Sequence, residues 1–128
     1  MTNENYILQL SRIQEEAKKL EEQLNIINNQ IKEFEILKES LDNIDKTKNE
    51  NFLASLGKGV FIETKINNKE LFVNVGNNIV LKKNVKETNE IIDKQIKELN
   101  KIKEEIEKSI ENLNIELQFL VEEAQKKN

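Results

Sequence analysis

The hydrophobic positions of this chain follow two different periods. Between Tyr6 and Leu41, apolar residues stand at Tyr6, Leu10, Ile13, Ala17, Leu20, Leu24, Ile27, Ile31, Phe34 and Leu41, in alternating steps of four and three with one omission at Lys38. The same spacing returns at Ile92, Ile96, Leu99, Ile106, Ile110, Leu113, Leu117, Leu120 and Ala124, with one omission at Lys103. A four-three alternation sustained over about five heptads is the seam of a coiled coil rather than the broad face of an ordinary surface helix. Leu37 and Ile102 adjoin the two lysines; at the first break, Leu37 is expected to take over the seam by a small local rotation.

Between the two seams the period drops to two. Residues 51–85 hold all three glycines of the chain, Gly57, Gly59 and Gly76. Phe52 to Leu56 is a short strand candidate, and Leu56-Gly57-Lys58-Gly59 is a tight turn in which glycine supplies positive φ. Val60, Ile62, Thr64 and Ile66 then alternate with Phe61, Glu63 and Lys65, as in a half-buried strand. Asn67-Asn68-Lys69 reads as a hairpin loop, Leu71, Val73 and Val75 as the next inward face, Gly76-Asn77-Asn78 as a second turn, and Ile79 with Leu81 as the last strand. This makes about four strands, in two hairpins. The polar stretch 42–51 is expected to fray the first helix, and Asn84-x-x-Glu87 opens the second as a capping box.

The predicted class is therefore α+β, mostly α: a long antiparallel two-helix coiled coil joined by a small β region. The chain is read as one domain with a helix over 1–48, a β-hairpin platform over 49–84 and a helix over 85–128. Forty helical residues form a rod of roughly 60 Å, too long for the interior of a small globule. Folded antiparallel, residue i faces about 130 − i, so Tyr6 meets Ala124, Leu41 lies near Asn89, and both termini reach the same end. Lys38 then faces Ile92 and Lys103 faces Ile27; each aliphatic stem can cover the seam while its amine reaches water.

Ile7, Leu8, Ile26, Ile36, Ile91, Ile115, Phe119 and Val121 lie off the seam, and at the ends they join seam residues in two clusters. Tyr6, Ile7, Leu8 and Leu10 form one cluster, and Ile115, Leu117, Phe119, Leu120 and Val121 form another, both at the end that carries the termini. Two helices cover only one face of each other. Part of this cluster either tightens the helix ends or touches a neighbouring chain, or it is an exposed grip for something transiently apolar; the second reading is favoured. The platform poses a similar choice. Val60, Ile62, Ile66, Leu71, Val73, Val75, Ile79 and Leu81 share one face, and isolated hairpins are marginal in water. The sheet either folds back on the helix bases or joins platforms of other subunits along its open edges, and joining is favoured.

Composition narrows the function. Charged residues make up 34% and aromatics 5%, the profile of a long-helix protein. The net charge of −4, with Arg12 the single arginine, disfavours nucleic-acid binding. The absence of cysteine fits a reducing compartment, and neither a signal pattern nor a run of about eighteen apolar residues occurs, so a soluble cytoplasmic protein without membrane contact is expected. Without His or Cys there is no usual nitrogen or sulfur metal ligand and no His-based triad. Gly57-Lys58-Gly59 lacks the frame of a phosphate loop, and the carboxylates sit in helical charge patterns that read as solvated faces. No catalytic residue, cofactor or metal is assigned, and the chain is not expected to be an enzyme.

The helix–hairpins–helix order, Leu56-Gly57-Lys58-Gly59-Val60 and Val73-Asn74-Val75-Gly76 together resemble the alpha class of prefoldin subunits over the whole chain. That family often has an aromatic just after the second element, where this chain has Asn78-Ile79, a departure that leaves room for the related gamma-type archaeal subunit, which assembles into filaments. The resemblance implies a hetero-hexamer with beta-class subunits, β strands of neighbouring subunits joined into barrels, and coiled-coil arms that hold non-native proteins at their tips without ATP and pass them to a group II chaperonin. A structural scaffold or filament whose ends bind one fixed folded partner is the alternative.

Overall fold

The structure, a computed structural model, describes residues 3–46 and 51–126. It contains two long helices, α1 (Asn3–Lys46) and α2 (Val85–Lys126), joined by strands β1 (Asn51–Gly57), β2 (Val60–Lys65), β3 (Leu71–Asn74) and β4 (Val80–Lys83). The four strands make two separate antiparallel hairpins, β1–β2 and β3–β4. The predicted class and element order are those observed, while the predicted platform boundary at 48/49 lies outside the described residues. The chain divides into two compact units, one built from α1 up to Glu33 with α2 from Ile96 onward, the other from Phe34–Gln95.

In the first unit the helices run antiparallel. Ile13, buried to 3% exposure, packs in one cluster with Leu113 and Leu120, and Tyr6, Leu10, Ala17, Leu20 and Leu117 lean on it. The Arg12 guanidinium bridges Glu16 on its own helix and Glu116 on the other, which confirms the pairing of i with about 130 − i. These carboxylates raise the Arg12 pKa, chiefly by accepting its hydrogen bond at Glu16 and then that at Glu116. Every predicted seam position of both helices is buried or half-buried.

At Lys38 the expected takeover by Leu37 does not occur, whereas the expected cover of the seam by the lysine stems fits both breaks. Lys38 and Lys103 remain half-buried on the seam, and Leu37 and Ile102 stay outside it, each 43% exposed. Rotating one residue onto the seam would turn the neighbouring seam residues off it, and each buried apolar side chain is worth about 1.5–3 kcal/mol. The lysine stem therefore covers the seam while its ammonium reaches out. In the second unit the Lys38 Nζ donates to Asp93 Oδ1 at 2.5 Å, a bond that raises its pKa above the ordinary value.

The helix ends follow local chemistry. At the start of α2 the Asn84 side chain accepts from the Glu87 backbone N–H at 2.7 Å, and the Glu87 carboxylate accepts from the Asn84 N–H at 3.2 Å, the predicted reciprocal box. Buried Thr88 closes the turn by donating its hydroxyl to the Asn84 carbonyl at 2.9 Å. By contrast, α1 does not fray at residue 42 but continues to Lys46. Leu41 is buried and Ile44 half-buried, and the Lys69 ammonium donates to the Asp45 carbonyl, one of the acceptors a helix leaves open at its C-terminus.

The turns are where glycine and asparagine are needed. Lys58-Gly59 and Asn77-Asn78 are two-residue loops with positive φ at both positions, the condition of a type I′ turn. The second closes with the Ile79 N–H on the Gly76 carbonyl at 2.9 Å. Gly57 at φ 104° sits beside a register shift between Ser55 and Gly57, a bulge that leaves Leu56 unpaired. Asn67-Asn68-Lys69 is not a hairpin loop: β2 and β3 do not pair, and this segment links the two hairpins. Asn68 instead accepts from the Glu70 N–H at 3.1 Å, an Asx turn that satisfies the backbone without bringing strands together.

Two outcomes follow from these ends and breaks. Asn84→Ala should lower stability by about 1 kcal/mol, with Asn84→Asp nearly neutral, in thermal melts followed by circular dichroism. A lysine whose folded pKa exceeds its free value contributes in full below that free value and loses its contribution as pH rises through the folded one. Lys38→Met should therefore abolish part of the stability loss seen above pH 10.5 and, by adding seam burial, raise the melting temperature at neutral pH.

Candidate functional site

Two apolar surfaces remain after the seam is satisfied. The first lies in the helix-pair unit, toward the chain termini. Of the nine residues predicted there, Tyr6, Leu10 and Leu117 are half-buried against the seam cluster and Leu120 is buried. The other five are open to solvent: Ile7 at 62% exposure, Leu8 at 67%, Ile115 at 59%, Phe119 at 63%, and Val121. The division follows the heptad. Tyr6, Leu10, Leu117 and Leu120 occupy the four-three positions and face the partner helix, whereas the five exposed residues fall between them. Ile115 and Phe119, four apart, stand on one ridge of the outer face of α2.

The second surface is the hairpins. Of the eight residues predicted to share an inward face, Ile66, Leu71 and Val73 are half-buried, while Val60, Ile62, Val75, Ile79 and Leu81 are exposed. The fold-back alternative is thus met in part. In the second unit Leu71 and Val73 line a groove of about 440 Å³ with Phe34, Leu37, Leu41 and Ile92 of the helix bases. The remaining strand surface is not covered by the described residues.

The hairpins also carry large apolar residues that the alternation pattern misses. Leu53, Leu56, Phe61, Phe72 and Val80 are all exposed. Register explains the omission: Ala54 pairs with Ile62 on one face, while Leu53 and Phe61 lie on the other beside Ser55 and Glu63, so the β1–β2 hairpin carries large apolar residues on both faces. Phe72 pairs with Lys82, whose ammonium lies 5.7 Å from the ring centroid, on the face of β3–β4 opposite Val73 and Leu81. A strand that is apolar on both sides is normally covered on both sides. The signal was present in Leu53 and Phe61, which a one-face reading sets aside.

Neither surface has the groups of a reaction centre. Among the described residues no cluster of His, Cys, Asp or Glu could hold a metal ion. No helix of the described residues is long and apolar enough to cross a membrane. What the surfaces can do is hold other polypeptide by apolar contact and strand-edge pairing.

Comparison with known proteins agrees with this architecture. A family model described as prefoldin subunit matches residues 13–128. The chain is similar to a curated protein named prefoldin subunit alpha from Methanosphaera stadtmanae, 25% identical over 87 residues, which cover 68% of this chain and 63% of that relative's length. Its fold matches a chain of a filamentous PFD from Methanocaldococcus jannaschii solved by cryo-EM, with a TM-score of 0.79, 19% identity, and coverage of 90% of this chain and 97% of the other.

The heptad division predicts distinct stability effects. Leu120→Ala should cost about 2–5 kcal/mol. Ile115→Ser, Phe119→Ser and Leu8→Ser should each stay within about 0.5 kcal/mol of the parent in denaturant titrations.

Proposed function

The chain belongs to the prefoldin family, and from that premise we propose that it is a subunit of an ATP-independent cytoplasmic chaperone that holds non-native proteins at the end of its helix pair. The observation that carries this reading is the group Ile7, Leu8, Ile115, Phe119 and Val121, exposed although the seam beneath is closed. A folded monomer gains nothing from five large apolar side chains in water, and a patch of this kind marks a contact with another molecule. Contacts that are few, apolar and sequence-tolerant suit an unfolded chain, which offers hydrophobic side chains without a fixed shape. Several such ends in one assembly raise the effective concentration, so weak single contacts hold a client yet release it.

In the same reading the platform over 49–84 is the oligomerisation element. Val60, Ile62, Val75, Ile79 and Leu81, with Leu53, Leu56, Phe61, Phe72 and Val80, become interface residues shared with beta-class subunits in a hetero-hexamer. Delivery of the client to a group II chaperonin completes the role, and the chain itself does no covalent chemistry. A second reading, a filament subunit whose ends bind one fixed partner, is favoured by the fold it shares with a protein described as filamentous. Mass measurement of the chain alone and with a beta-class subunit separates them, a closed hexamer supporting the first and open-ended growth the second.

The capture reading makes its own prediction. Replacing Leu8, Ile115 and Phe119 together by serine should abolish suppression of client aggregation in a light-scattering assay while leaving the assembly mass unchanged. Full suppression by that variant would refute the reading.

A further inference from the structure

The charge of this chain is unevenly placed. Of its 24 acidic and 20 basic residues, seven and three fall within residues 1–16 and 111–128, leaving 17 of each sign elsewhere. The whole net charge of −4 thus belongs to the segments that carry the exposed apolar group. The local cations offset it in part: Arg12 is occupied by Glu16 and Glu116, and Lys126 stands one turn after Glu122 on α2, while Glu111 and Glu123 keep the ends of the apolar ridge acidic.

The carboxylates are interleaved with the apolar residues. Glu111, Ile115, Phe119 and Glu123 follow one another at steps of four, so they form a single ridge of α2 with an acid at each end and two large hydrophobes between. Glu122 stands beside Glu123, next to the exposed Val121. On α1, Glu4 lies one turn before the exposed Leu8.

From this arrangement we infer that the end of the helix pair selects among non-native segments by charge, preferring those in which large apolar side chains are bracketed by lysine or arginine. The inference rests on the capture reading and specifies its ligand class. An apolar side chain of the client packs on Ile115 and Phe119 while flanking cations meet Glu111, Glu122 and Glu123. A segment flanked by aspartate or glutamate brings like charges together over the same ridge and is disfavoured. Discrimination then comes as much from repulsion of the wrong segment as from attraction of the right one. Glu111 and Glu122 are exposed and Glu123 is half-buried, so the selection is modest and falls as salt screens it.

The test uses the full chain in its native assembly and three labelled, unstructured peptides with one shared Leu-Phe core, flanked by lysines, serines or glutamates. Fluorescence anisotropy at low salt should rank them lysine, serine, glutamate, with a spread of roughly five- to tenfold that contracts in high salt. The variant Glu111→Gln/Glu122→Gln/Glu123→Gln should bring the lysine-to-glutamate ratio below about twofold. Equal binding of all three peptides would overturn the charge selection and leave capture standing. A ratio that persists in the triple variant would overturn its assignment to these carboxylates. Failure to bind any of the peptides would overturn both the selection and the capture reading beneath it.

Discussion

The seam between α1 and α2 is the contact on which everything else depends. In the helix-pair unit Ile13, Leu113 and Leu120 form the buried cluster, and no aromatic is fully enclosed there. A thin seam of Leu and Ile suffices because it is long and every heptad adds a similar increment of burial. The strength of that repeat is visible where it is violated. Lys38 and Lys103 keep their places on the seam against better hydrophobes one residue away, since shifting the phase locally would cost more than burying a lysine stem.

Because two helices occupy each other along one face only, the seam also decides what is left over. Tyr6, Leu10, Leu117 and Leu120 are consumed by it, and Ile7, Leu8, Ile115, Phe119 and Val121 are not. The apolar group at this end is thus a direct result of heptad phase. Hydrophobes placed off a two-helix seam have no intramolecular partner unless a third element covers them. The acidic ridge positions around them add a second property, charge, to a surface otherwise defined only by being greasy.

The hairpins pose the opposite problem. Each is a two-stranded piece whose own chain can cover at most part of one side, as the groove beneath Leu71 and Val73 shows. Two-sided apolar strands with free edges are incomplete in a monomer, and their natural completion is other strands. In this protein the segment whose apolar seam closes within the chain and the segment whose apolar strands stay open are therefore separate parts of one chain.

The long-range architecture was legible in the residues because its signals are periodic and repeated. The four-three spacing predicted both helices, their antiparallel register and the exposed set at the terminal end. Asn84 and Glu87 marked the start of α2, and the glycines marked both turns, because capping and positive φ are local requirements that particular side chains meet. What the chain text did not reveal were outcomes of competition between distant groups. Lys69 caps α1 through the Asp45 carbonyl 24 positions away and lets the helix pass its polar end. Lys38 stays on the seam with help from Asp93 on the other helix. Asn67-Asn68-Lys69 looks like a hairpin loop by composition, yet β3 pairs with β4 and not with β2. Local pattern thus determined which elements form, which faces they bury and the two hairpins that the glycine turns close; tertiary structure alone decided that the segment between the hairpins joins no strands and how each exception to the pattern is accommodated, because those choices compare energies between groups that the sequence does not place side by side.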